Sequence, residues 1–87
     1  MSDLSVEFEN AQKAVTGLKE RPDNAMLLRL YALYKQATAG DCGGERPGIM
    51  DFINRAKFDA WSELKGTSRE AAMQAYVDLV RELTACG

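Results

Sequence analysis

Hydrophobic residues recur three and four positions apart in four successive runs, the period that lines side chains along one face of an α-helix. The first run is Leu4, Phe8, Ala11, Val15 and Leu18, and it ends in the stretch from Gly17 to Pro22, where glycine and then proline are poor continuers. Asp23 or Asn24 is placed to cap the second run, Met26, Leu27, Leu30, Leu33 and Ala37, which Gly40 closes. Asp51 is placed to cap the third run, with an inward arc of Ile53, Ala56, Ala60, Trp61 and Leu64 and a stop at Gly66. Thr67 and Glu70 then read as a T-x-x-E capping box for the fourth, in which Ala72, Met73, Tyr76, Leu79, Val80 and Leu83 point inward. Strand-like alternation is absent, so the expected class is all-α: four amphipathic helices in one bundle, a single domain spanning residues 1–87. The only long irregular connection is GDCGGERPGIMD at 40–51, with type II turn chemistry at Pro47-Gly48, and its length lets the chain cross the bundle.

Composition excludes several functions. A formal net charge of −2 argues against nucleic acid or an anionic membrane as the main target, so any anion has to be caught by a local cluster. Histidine is absent, which removes the Ser-His-Asp triad and His-ligated metal sites; neither a metal site nor catalytic residues are expected. The two cysteines, Cys42 and Cys86, form neither a disulfide framework nor a CxxC motif and are expected as free thiols. MSDLSVEFEN is polar and acidic, unlike a signal peptide, and no run is apolar enough for stable membrane insertion, so a cytoplasmic location is expected.

Three of the runs carry a polar group where the helical wheel calls for an apolar one. In YALYKQAT, at 31–38, Tyr31, Tyr34 and Lys35 share a face with Leu28, while Arg29, Ala32 and Gln36 take the opposite one. Lys57 lies four residues after Ile53 and four before Trp61, in the middle of an apolar arc. Tyr76 holds the same position between Ala72 and Val80. Snorkelling lysine stems and rim-facing phenols account for any one of these, but the three together call for more. An inward ammonium costs several kcal/mol without an anion, and Asp59, Glu63, Asp78 and Glu82 all fall on outer faces. The missing counter-charge points to a ligand with phosphate for the ammoniums, a flat ring for tyrosine and an apolar tail for the groove, a combination found in coenzyme A thioesters. The alternatives are a helical scaffold or peptide-binding module without CoA affinity, an acyl carrier protein, whose D-S-L serine motif is missing here, and an enzyme acting on CoA esters, for which no catalytic constellation is present.

LYALYKQATAGD at 30–41, ERPG at 45–48 and AKFDAWSELKGTSREAAMQAYV at 56–77 carry a resemblance, over nearly the whole chain, to the acyl-CoA-binding protein family. The resemblance implies a four-helix up-down-down-up bundle that binds medium- to long-chain acyl-CoA without catalysis or cofactor, as an intracellular carrier serving fatty acid metabolism. It assigns Tyr31, Tyr34 and Lys35 to the adenosine and its 3′-phosphate, with Lys57 and Tyr76 as the remaining principal contacts. Secondary contacts are expected at Thr16, Arg21, Leu27, Leu28 and Phe58. Thr16 stands where many members have lysine, with Arg21 as partial compensation, and Phe58 replaces a common tryptophan. A monomer is expected, because a twofold interface would cover the groove that the ligand needs.

Overall fold

The computed structural model describes residues 3–85, so Cys86 lies outside the described residues. Four helices follow one another: α1 (Leu4–Thr16), α2 (Asn24–Ala39), α3 (Phe52–Ser62) and α4 (Arg69–Ala85). Asp3 and Asp23 start α1 and α2 by accepting backbone N–H bonds from Ser5 and Met26, which satisfies donors that a helix start leaves orphaned. The two later starts differ from expectation. The Asp51 side chain makes no capping bond to the backbone and accepts instead from the Asn54 side chain. The Ser68 hydroxyl, not Thr67, accepts from the N–H of Ala71, because α4 begins at Arg69 and Ser68 is the residue just before it. Helix α3 ends at Ser62, short of Gly66, which closes the following turns at φ 91°.

Helix α1 packs on α4, α4 on α2, and α2 on α3. The pairings fix the directions. Tyr31 meets Lys57 and, one turn on, Lys35 meets Trp61, so α2 and α3 run parallel. Gln36 bonds to Thr67 near the start of α4, whereas Pro22 lines a cavity with Leu83 near its end, so α2 and α4 run antiparallel. Phe8 contacts Tyr76, and Leu18 lines that same cavity with Leu83, so α1 and α4 are parallel. This is the up-down-down-up order.

The core comprises Phe8 and Ala11, Leu30, Leu33 and Ala37, and Ala72, Tyr76, Val77, Leu79 and Val80. Each buried leucine or valine contributes about 1.5–3 kcal/mol relative to an exposed one. Helices packed on two sides bury more than one stripe. In α4, flanked by α1 and α2, this adds Val77 to the expected set. In α2, flanked by α3 and α4, it buries Ala32 and Gln36, both expected on the outer face with Arg29, which alone remains exposed. The converse holds for α3, which packs only on α2 and has no fully buried residue; Ile53, read as inward, is 70% exposed.

Gln36, 0% exposed, is the one buried polar residue among those described. Its amide donates to Asp41 Oδ1 at 2.9 Å and to the Thr67 carbonyl at 2.7 Å, and the same Asp41 oxygen accepts from the N–H of Gly66 at 2.9 Å. One node therefore ties the end of α2 to the α3–α4 turn. The Gly66 bond, and then that of Gln36, holds the Asp41 carboxyl below the ordinary aspartate range. A lowered folded pKa gives stability that is present above the ordinary value and lost as pH falls through the lowered one. Asp41→Asn is expected to lower the urea midpoint at pH 7, and the gap from wild type is expected to close across that acidic window; equal midpoints at pH 7 would show that the charge of Asp41 contributes nothing to the node.

Candidate functional site

The parallel seam between α2 and α3 brings Tyr31, Lys35, Lys57 and Trp61 together. The Lys57 ammonium lies 5.2 Å from the centre of the Tyr31 ring, and the Lys35 ammonium lies 4.9 Å from that of Trp61, both within cation–π range. Wheel geometry puts Lys35 on a face with Tyr31, Tyr34 and Leu28, and the structure adds that its ammonium, at the end of a four-carbon stem, reaches a ring of the helix next door. Among the described residues no carboxylate lies within ion-pair distance of either lysine. Asp59 on α3 is held by Arg46 of the long connection, with contacts of 2.8 and 2.6 Å, and that pairing lowers its carboxyl pKa.

Tyr34 turns the other way. Its ring stacks on Phe8 at 6.1 Å with 28° between planes, and Phe8 meets Tyr76 edge-on at 5.1 Å and 80°. Tyr34 is 39% exposed while Tyr76 is only 6% exposed, so the three-ring cluster has a buried floor and an open rim. Burial pushes the Tyr76 phenol up, with a smaller push from Tyr34.

The residues assigned to the site thus divide between two neighbouring clusters bridged by the Tyr31–Lys35 turn. Leu27, Leu28 and Phe58 are half-buried on α2 and α3. Thr16 and Arg21 are exposed at the α1–α2 connection, where the Thr16 hydroxyl donates to the Lys13 carbonyl and Arg21 lines a surface cavity with Leu18 and Leu83; neither joins the lysine pair. The apolar pattern marks Trp61 and Phe8 only as core, whereas both are ring partners of site residues. The indole N–H of Trp61 donates to the Gly40 carbonyl at 2.9 Å, anchoring the ring. Next to this seam, Ile49, Met50, Phe52 and Ile53 leave bulky apolar side chains 70–85% exposed.

The family described as Acyl CoA binding protein matches residues 5–80. Over 82 residues the chain is 45% identical to the Caenorhabditis elegans acyl-CoA-binding protein homolog 1, covering 94% of this chain and 95% of that one. It is 54% identical over 78 residues to enoyl-CoA delta isomerase 2 of Rattus norvegicus, covering 90% of this chain but only 20% of the isomerase, so the chain spans a small part of that protein. The crystal structure of Oryza sativa acyl-CoA-binding protein 2 superposes with a TM-score of 0.90 at 40% identity, covering 95% of this chain and 92% of that one. Fold and sequence together define a four-helix bundle of the acyl-CoA-binding type. The chain belongs to the acyl-CoA-binding protein family.

Because the folded state keeps the Tyr76 proton after an unfolded chain has lost it, stability falls as pH rises from the ordinary phenol value to the raised one. In an alkaline absorbance titration, one of the three tyrosines is expected to ionise late, and Tyr76→Phe is expected to remove that step; a late step surviving in the variant would assign it elsewhere.

Proposed function

We propose that this protein binds medium- to long-chain acyl-CoA thioesters and serves as an intracellular, cytoplasmic carrier and pool former, as a monomer and without catalysing a reaction on the ligand. The observation that carries the reading is the pair of ammoniums on the α2–α3 seam, Lys35 and Lys57, each set against an aromatic ring and, among the described residues, without a carboxylate at ion-pair distance. A 3′-phosphate between them answers both charges with charge-assisted hydrogen bonds, and the Tyr31 phenol adds a donor. The adenine ring takes the open rim of the Tyr34, Phe8 and Tyr76 cluster, where an aromatic face is available for stacking.

For the acyl chain, the parallel register supplies the direction. Tyr31 pairs with Lys57, so one turn earlier Leu27 and Leu28 come level with Ile53, at the edge of the exposed apolar group that runs back to Ile49. A chain laid there covers apolar surface that otherwise faces water. At about 0.8 kcal/mol per methylene, about twelve methylenes yield roughly 10 kcal/mol, comparable with association costs of about 4–15 kcal/mol, so the nucleotide contacts provide the surplus. No helix among the described residues is long and apolar enough to cross a membrane, in keeping with a carrier that does not span one.

Calorimetric titration with palmitoyl-CoA, free CoA and palmitate tests the reading. Palmitoyl-CoA is expected to bind far more tightly than either part, and equal affinity for palmitate and palmitoyl-CoA would overturn the proposal. Lys35→Met or Lys57→Met removes a charged hydrogen bond worth about 1.5–3 kcal/mol and is expected to weaken palmitoyl-CoA binding roughly tenfold to a hundredfold. That loss is expected to shrink when the 3′-phosphate is removed from the ligand; an unchanged loss would move the lysines away from that phosphate.

A further inference from the structure

The two lysines do not hang free along the seam. The cation of α2 sits on a ring of α3, and the cation of α3 sits on a ring of α2, one turn apart along the same seam. The Trp61 seat is anchored at its indole N–H. Its N–H is held by the Gly40 carbonyl, the Gly40 N–H donates to the Gln36 carbonyl, and the neighbouring Asp41 is pinned by Gln36 and Gly66. The lysine stem is the flexible partner. The α3 carboxylate nearest in sequence, Asp59, is occupied by Arg46.

From this geometry we infer that Trp61 and Tyr31 are resting seats for the ammoniums of Lys35 and Lys57, which a phosphate-bearing ligand draws off the rings. Trp61 is then a positioning residue for Lys35. A ring face attracts a cation but offers no lone pair to its N–H donors, so a phosphate oxygen, which offers both charge and acceptors, outcompetes it. The seats also place the negative face of a ring beneath each ammonium, so the site does not need an acidic residue that would repel the phosphate. The inference rests on the acyl-CoA reading and adds what the lysines do before the ligand arrives.

The test is NMR of the full chain carrying lysine labelled with carbon-13 at the ε position, with palmitoyl-CoA added to one equivalent and calorimetry on the same preparation. In the unliganded protein, the ε-methylene resonances of Lys35 and Lys57, identified by their loss in Lys35→Met and Lys57→Met, are expected upfield of those of Lys13, Lys19 and Lys65 because of ring currents. On saturation both are expected to move downfield toward the solvent-exposed lysines. Trp61→Leu is expected to abolish the upfield shift of Lys35 and leave that of Lys57; the wild-type titration decides the question even if this variant does not fold. Should palmitoyl-CoA bind while both resonances stay upfield, or should neither be upfield at the start, the resting seats are wrong and the acyl-CoA reading stands. Absence of binding in the calorimeter overturns both.

Discussion

Helix α2 is covered on two sides, and the rest of the molecule is arranged around that constraint. One side presents Leu30, Leu33 and Ala37 to the common core; the other presents Tyr31 and Lys35 to α3. A single helix therefore does two jobs. Its apolar residues contribute to the burial that holds the bundle together, and that burial fixes the rotation of α2 about its own axis. The same rotation sets Tyr31 and Lys35 against α3 and turns Tyr34 toward Phe8 and Tyr76.

Two polar arrangements keep the outer helix in register. Arg46 reaches from the long connection to Asp59, tying residues 40–51 onto α3. Gln36 and Asp41 tie the end of α2 to the turn before α4. The second matters more, because Gln36 is fully buried and a buried amide without partners destabilises the fold. Both of its N–H donors are used, while its Oε1 has no partner. With α3 buried against only one neighbour, these hydrogen bonds and the Trp61–Gly40 contact take over part of the positioning that a deeper core would provide.

The exposed group Ile49, Met50, Phe52 and Ile53 follows from the same arrangement. A helix packed on both sides would have buried its first turn, whereas α3 leaves it open, level with Leu27 and Leu28 at the start of α2. In the proposed function the acyl chain is what covers it, so the incomplete burial of α3 and the binding groove are two aspects of one feature.

The sequence by itself determined the four helices, most of their ends, and the residues that break the apolar pattern, because helical periodicity and caps are local and a misplaced polar residue is visible against them. Tyr31, Lys35, Lys57 and Tyr76 were legible in that way, and the motifs around them carried the family. Only the tertiary structure decided which ring receives which ammonium, that Gln36 faces inward, and that Ser68 rather than Thr67 caps α4. A helical wheel ranks the faces of one helix and does not say how many neighbours will cover it. Gln36 and Ala32 are buried because α2 is packed between α3 and α4, and Ile53 is exposed because no helix but α2 packs on α3. The same limit hid Trp61: its spacing marks it as apolar, but its role as the partner of Lys35 depends on α2 and α3 running parallel, a relation between residues 26 positions apart that no local pattern encodes.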